Sequence, residues 1–182
     1  MTRKLALDTN CIIDLEENRP DAPHLRTLIT AWKNNRIDLA VVVVSASENQ
    51  PSGIVSRDFK VFEAKLKKVG LADVHQLLPM AIWDVYYWDH ALWSSPEMVS
   101  LESQIRGILF PGILIVPPTN SDENSRWRNH MCDVLVAWSC IHHRWECLVT
   151  RDKNFHDHFA ELAALGLQEI LYPADAAQRF TP

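Results

Sequence analysis

Four carboxylates in this sequence have positions that could support metal chemistry: Asp8, Glu48, Asp133 and Asp152. Three of them follow short apolar runs that predict buried strands, whereas Asp133 lies within a helical pattern between Cys132 and Val134. Carboxylates gathered at one edge of a sheet repel one another, and an acid among apolar residues is costly unless it is paired. Mg²⁺ or Mn²⁺ relieves both costs and leaves coordination positions for phosphate oxygens and water. The pattern therefore indicates metal-assisted phosphodiester hydrolysis.

Each carboxylate also has a purely structural interpretation. An Asp just after a strand often caps a helix or completes a turn, and this applies to Asp8 and to Asp152. Glu48 is followed by Asn-Gln-Pro, which is compatible with a surface turn. The joint placement of the four acids favours a functional site more than any single acid does.

The elements expected to position these acids are short apolar runs separated by helical patterns. Where strands alternate with helices, a parallel sheet with right-handed crossovers is expected, and ligands bind at the carboxyl ends of its strands. We predict strands at 4–7, 39–44, 113–116, 147–149 and, more weakly, 169–172. We predict helices with apolar stripes at 25–32, at 59–69 closed by Gly70, from Ser95-Pro96 onward, from Asn129 onward, and at 157–165 closed by Gly166.

The motifs around the acids resemble those of the PIN-domain family of metal-dependent nucleases, including toxin ribonucleases of the VapC type. The resemblance rests on Leu5-Ala-Leu-Asp8-Thr9-Asn10, Ser45-Ala-Ser-Glu48, Cys132-Asp133-Val-Leu-Val-Ala137 and Leu148-Val-Thr150-Arg-Asp152-Lys-Asn-Phe155. It covers roughly residues 3–50 and 129–172. It implies a three-layer α/β/α sandwich with a parallel sheet of about five strands.

The resemblance also implies a site and an activity. Asp8, Glu48, Asp133 and Asp152 would be the catalytic acids that bind Mg²⁺ or Mn²⁺, while Asn10 and Thr150 would orient a carboxylate or the scissile phosphate. The expected activity is that of an endoribonuclease acting on single-stranded or structured RNA, as in a toxin with an antitoxin partner. The alternatives are a non-catalytic PIN-like module that binds RNA or protein and a structure-specific DNA nuclease.

The middle of the chain differs from the compact toxins. The segment between Glu48 and Asp133 is several tens of residues longer, so we expect one domain over 1–182 with a helical insertion at about 52–110. The aromatic-rich segment 81–93 predicts a core or a homodimer interface more than a base-stacking surface. Weaker candidates for nucleic-acid binding are the basic residues Arg57, Lys60, Arg151 and Lys153.

Composition restricts the class of protein but not its partner. With 182 residues, 47% hydrophobic and 23% charged, the chain is an ordinary globular sequence with a formal net charge of -5. It carries neither a phosphate-binding glycine motif nor zinc-site spacing around its histidines. Its four cysteines lie in or beside apolar segments, which predicts buried free thiols. The longest uncharged apolar stretch, 107–118, is interrupted by prolines and too short to cross a membrane, so we expect a cytoplasmic protein.

Overall fold

The structure is a computed structural model that describes residues 2–46, 59–82, 85, 90–119 and 121–181, apart from the side chains of residues 45, 46, 121 and 122. Glu48 and Arg57 lie outside the described residues. So do four of the five tryptophans and tyrosines in the aromatic-rich segment. The remaining one, Trp93, is 84% exposed.

Five parallel strands form one sheet in the order β3-β2-β1-β4-β5. The strands are β1 Arg3–Leu7, β2 Ile37–Val42, β3 His75–Leu77, β4 Cys147–Val149 and β5 Glu169–Leu171. β1 lies at the centre, where Leu7 is in register with Val41 of β2 and with Val149 of β4. This register brings the carboxyl ends of the three central strands to the same edge.

Eight α-helices are present among the described residues. They are α1 Thr9–Glu17, α2 Ala22–Lys33, α3 Phe59–Lys68, α4 Pro96–Leu109, α5 Ser121–His142, α6 Lys153–Asp157, α7 Phe159–Leu165 and α8 Pro173–Phe180. A short 3₁₀ helix, Val43–Ala46, follows β2. No helix among the described residues has the length and apolar character needed to cross a membrane.

Alternate strand residues enter two separate hydrophobic cores, as expected for a sheet covered on both faces. Ala6, Val42 and Leu148 pack with residues of α4, α5 and α7, whereas Leu7 and Val149 pack with residues of α1, α2, α3 and α8. The predicted α/β/α architecture with about five parallel strands is thereby confirmed. The prediction of buried cysteines without disulfides is also confirmed, since all four cysteines are buried and none forms a disulfide with another described residue.

The predicted strand at 113–116 is wrong. This segment is irregular, with a bend at 115–116, and Leu114 and Val116 are 72% and 67% exposed. Prolines at 111, 117 and 118 lack the N–H that a strand interior needs. The free carbonyls accept side-chain donors instead, with Arg106 bound to the Ile113 oxygen at 2.6 Å. The third strand is His75–Leu77, whose three residues are too few and too polar to give a clear strand pattern.

Two helix boundaries also differ from the prediction. α5 begins at Ser121 rather than Asn129, so its first two turns consist largely of polar residues that carry no apolar stripe. The helix predicted at 157–165 is interrupted at His158, whose φ of -107° and ψ of 18° depart from helical values. Two predicted helix ends are confirmed. Gly166 ends α7 with φ 118°, and Ser95 begins α4 by accepting a hydrogen bond from the Met98 amide.

Candidate active site

Asp8 occupies the junction between β1 and α1 at the carboxyl edge of the sheet. Its backbone N–H donates to the Val149 carbonyl at 3.1 Å, which continues the ladder between β1 and β4 by one residue. Asp8 has extended dihedrals, φ -73° and ψ 162°, and its side chain caps α1. The residue is only 3% exposed. The fold therefore buries a carboxyl group at the end of its central strand.

Three donors converge on the Asp8 carboxylate. Oδ1 accepts from the Thr9 amide at 2.6 Å. Oδ2 accepts from the Asn10 side-chain amide at 2.5 Å and from the Thr150 hydroxyl at 2.6 Å. Hydrogen bonds to the ionised form favour it, which partly offsets the cost of burial. Asn10 and Thr150 were predicted to orient a carboxylate, and in the structure both donate to Asp8.

Thr150 connects the two sides of this site. Its fully buried hydroxyl receives hydrogen bonds from the Asn10 amide and from the Asp152 backbone N–H, both at 2.9 Å. The backbone N–H of Arg151 donates to Asn10 Oδ1 at 3.2 Å. These contacts fix the segment after β4 against the first turn of α1.

Asp152 lies beside this network as the N-cap of α6. Its Oδ1 accepts from the Asn154 amide at 2.8 Å, and the residue is half-buried. Its charge acts on Asp8 and raises the pKa of that carboxyl. Both acids therefore cap helices, as the structural interpretation expected, and both also belong to one electrostatic site.

The pKa of Asp8 is raised from its usual 3.8 to about 6. Burial is the main cause, because it removes water from the charged form, and repulsion from Asp152 adds to it. The hydrogen bonds from Thr150 and from the Thr9 amide, and the positive charge of Arg151, act in the opposite direction. The site thus holds a carboxylate that a nearby cation would stabilise further.

A buried ion pair that sequence analysis missed supports the segment after β4. Asp14 of α1 is fully buried, and its two oxygens lie 2.6 and 2.9 Å from the Arg151 guanidinium. Arg19 lies 3.7 Å from the same carboxylate. Burial raises the pKa of Asp14, while Arg151 and Arg19 counteract this effect. Asp14 lies between Ile13 and Leu15, so it has the same apolar neighbours in sequence that made Asp133 a candidate.

Asp133 lies on α5, which packs against β4 and against the 3₁₀ helix after β2. It is half-buried between two fully buried neighbours. Within the described ranges, no three His, Cys, Asp or Glu side chains come together as a ready metal-ligand group, and the range holding Glu48 is not among them. The proximity of Asp133 and Glu48 to Asp8 stays a prediction.

The weaker basic candidates have different surroundings. The Arg151 guanidinium lies 2.6 Å from Asp14 and 3.9 Å from Asp21, and the Arg151 side chain is 36% exposed. The Lys153 side chain is 82% exposed and lies 3.8 Å from Asp157, while Lys60 is exposed on α3. A role of these three side chains in nucleic-acid binding stays a prediction.

Comparison with known proteins adds no relative. No protein-family model, curated protein or solved structure matches this chain. What the described site offers chemically is a buried carboxylate held by three donors, with a second carboxylate close enough to perturb its pKa. Paired acids at the edge of a parallel sheet suit either proton transfer or the binding of a hard cation.

Proposed function

We propose that this protein is a Mg²⁺- or Mn²⁺-dependent endoribonuclease that hydrolyses phosphodiester bonds at the edge where β1 and β4 end. The observation that carries the proposal is the Asp8 carboxylate, which is 3% exposed, accepts three hydrogen bonds and has a pKa raised to about 6. The PIN-like motifs of the sequence support the same activity.

The donor set fits a hard divalent cation. A carboxylate that serves only as a helix cap needs the backbone amide of its own helix, and Asp8 has that contact with Thr9. The additional hydrogen bonds from Asn10 and Thr150 hold the group ionised and oriented although burial and Asp152 oppose its charge. Such second-layer donors are typical of carboxylates that bind metals. Carboxylate oxygens are the ligands that Mg²⁺ and Mn²⁺ prefer.

Asp8 and Asp152, whose charges interact in the structure, would hold the cation together with Asp133 and Glu48, the further acids that the sequence predicts. A bound cation supplies Lewis-acid stabilisation of the phosphoryl oxygens and activates water. The residues of this chain orient that chemistry. Asn10 and Thr150 fix the rotamer of Asp8, and the Arg151–Asp14 ion pair fixes the backbone that carries Thr150 and Asp152.

RNA as substrate and a toxin role with an antitoxin partner in the cytoplasm are proposed from the resemblance to VapC-type ribonucleases. A formal net charge of -5 does not oppose an RNA substrate, because cations bound by carboxylates attract phosphate. The second candidate is a non-catalytic PIN-like module that binds RNA or protein. It is favoured by one observation, that Asp8 and Asp152 each cap a helix and so have a structural role.

A cleavage assay separates the two candidates. Labelled single-stranded RNA is incubated with the parent protein in Mg²⁺, in Mn²⁺ and in EDTA, together with Asp8→Asn and Asp152→Asn. Asp73→Asn is the matched control, because Asp73 is exposed in the turn after α3. We expect metal-dependent cleavage by the parent and by Asp73→Asn and its loss in the other two variants. Equal cleavage by parent and Asp8→Asn would refute the assignment, and no cleavage by the folded parent would favour the binding module.

A further inference from the structure

A cavity of about 740 Å³ opens between the segment 109–118 and the first half of α5. Its walls are mainly apolar and include Pro111, Leu114, Pro117 and Trp127. Trp127 is 4% exposed and its indole N–H donates to the Leu114 carbonyl at 2.7 Å, which fixes the loop over the helix. A volume of this size lies within the range of small-molecule binding sites, roughly 300–1,000 Å³.

Three polar side chains of α5 line the same cavity. Arg126 is exposed and forms no hydrogen bond or ion pair with the described residues. His130 is half-buried and stacks on Phe110 with ring centroids 4.1 Å apart and planes at 17°. Burial and the nearby Arg126 lower the pKa of His130, which favours the neutral form of its ring. Glu123 adds a carboxylate that can accept hydrogen bonds from an exocyclic amine.

The cavity adjoins the proposed active site along two elements. Arg126, His130 and Asp133 are spaced by four and three residues and therefore share one face of α5. Leu109, in the cavity wall, accepts from the Asn154 side-chain amide at 3.2 Å, and Asn154 lies in the first turn of α6, the helix that Asp152 caps. The cavity is thus lined by the helix that carries one proposed acid, and its wall is hydrogen-bonded to the helix that another acid caps.

We propose that this cavity binds one unpaired nucleotide of the RNA substrate, with the base against the Phe110–His130 pair and the adjoining phosphate at Arg126. The proposal deepens the proposed function and rests on it for the identity of the substrate. Flat aromatic faces accept any base by stacking, and an exposed guanidinium is complementary to phosphate.

Binding of labelled single-stranded RNA in EDTA tests the site without cleavage. We expect Arg126→Ala and His130→Ala each to weaken binding by about tenfold, the scale of one lost base or phosphate contact. His130→Phe should restore most of the affinity, because it keeps the stacking face. Arg128→Ala is the matched control, since Arg128 lies on the same helix but does not line the cavity, and it should change the affinity less than twofold. Thermal melting verifies that each variant is folded.

The outcomes distinguish this inference from the proposed function. If the parent cleaves RNA but Arg126→Ala and His130→Ala bind and cleave as the parent does, the nucleotide site is refuted and the nuclease stands. If the parent does not cleave but RNA binding still depends on Arg126 and His130, the nucleotide site stands and the nuclease fails. Equal losses in Arg126→Ala and Arg128→Ala, with no loss in His130→Ala, would show that only general positive charge matters and would refute the nucleotide site. Absence of RNA binding by the parent would also overturn the proposal and leave the cavity to an apolar protein segment.

Discussion

The pH dependence of stability should reveal Asp8 directly. A carboxyl group whose pKa rises from 3.8 in the unfolded chain to about 6 in the folded protein binds its proton more tightly when folded. Its stabilising contribution is therefore complete below pH 3.8 and is lost as the pH rises toward 6. The loss amounts to about 3 kcal/mol, at 1.36 kcal/mol for each unit of pKa difference. Asp8→Asn removes this titration and leaves all others in place, including that of Asp14.

The assay is thermal melting of the parent and Asp8→Asn in EDTA from pH 4 to pH 8. Because about 1 kcal/mol corresponds to roughly 2–4 °C in a chain of this size, the melting temperature of Asp8→Asn should gain about 6–12 °C relative to the parent between pH 4 and pH 7. In Asp152→Asn, which lacks the repelling charge, the same Asp8-dependent change should occur at lower pH. A melting-temperature difference between Asp8→Asn and parent that stays constant over this range would refute the assignment of Asp8 as a buried carboxyl with a raised pKa.

Two further predictions concern the surroundings of Asp8, and a third concerns a buried thiol of β4. Thr150→Val removes the buried hydrogen bond to the Asp8 carboxylate and should lower the free energy of unfolding in urea by about 2–3 kcal/mol. Thr150→Ser keeps the hydroxyl and should stay close to the parent. Equal losses in the two variants would contradict a stabilising role of this hydrogen bond. Arg151→Met leaves the buried Asp14 carboxylate without its main partner and should lower the free energy of unfolding by about 3 kcal/mol in the same assay. The double variant Arg151→Met/Asp14→Asn should lose less than Arg151→Met alone. If the losses of the two single variants simply add in the double variant, the two side chains are not coupled. Burial raises the pKa of Cys147 to about 12, so a thiol reagent at pH 8 should label it only on unfolding, and rapid labelling of the native protein would count against its placement in the core.

The layered fold could be predicted because its signals are local and strong. The predicted strand at 39–44 is apolar on both faces, as expected between two helical layers; its first four residues lie in β2, whereas Val43 and Val44 begin the 3₁₀ helix. Capping residues such as Ser95 and terminating glycines such as Gly166 act within one helical turn, so the helix ends they mark could also be predicted. The motifs around Asp8 and Thr150 predicted that these residues follow strands ending at the same edge of the sheet, where β1 and β4 end.

The errors came from places where tertiary contacts decide the outcome. The segment 113–116 has strand composition, but two of its carbonyls accept hydrogen bonds from Arg106 and Trp127, and prolines flank it on both sides. His75–Leu77 becomes a strand only because β2 offers an edge for it. Asp14 was not predicted because its partner, Arg151, is distant in sequence and adjacent only after β1 and β4 pair.

Binding of Mn²⁺, followed by loss of the free-ion electron paramagnetic resonance signal, tests most directly whether the carboxylate edge holds a cation. The parent should bind Mn²⁺ at pH 7.5 and lose affinity as the pH falls below about 6, because protonation of Asp8 removes the charge that the cation needs. Asp8→Asn should bind at least about tenfold more weakly at pH 7.5. Equal Mn²⁺ affinity in parent and Asp8→Asn, or an affinity of the parent that does not change between pH 5 and pH 7.5, would contradict a metal site built on Asp8.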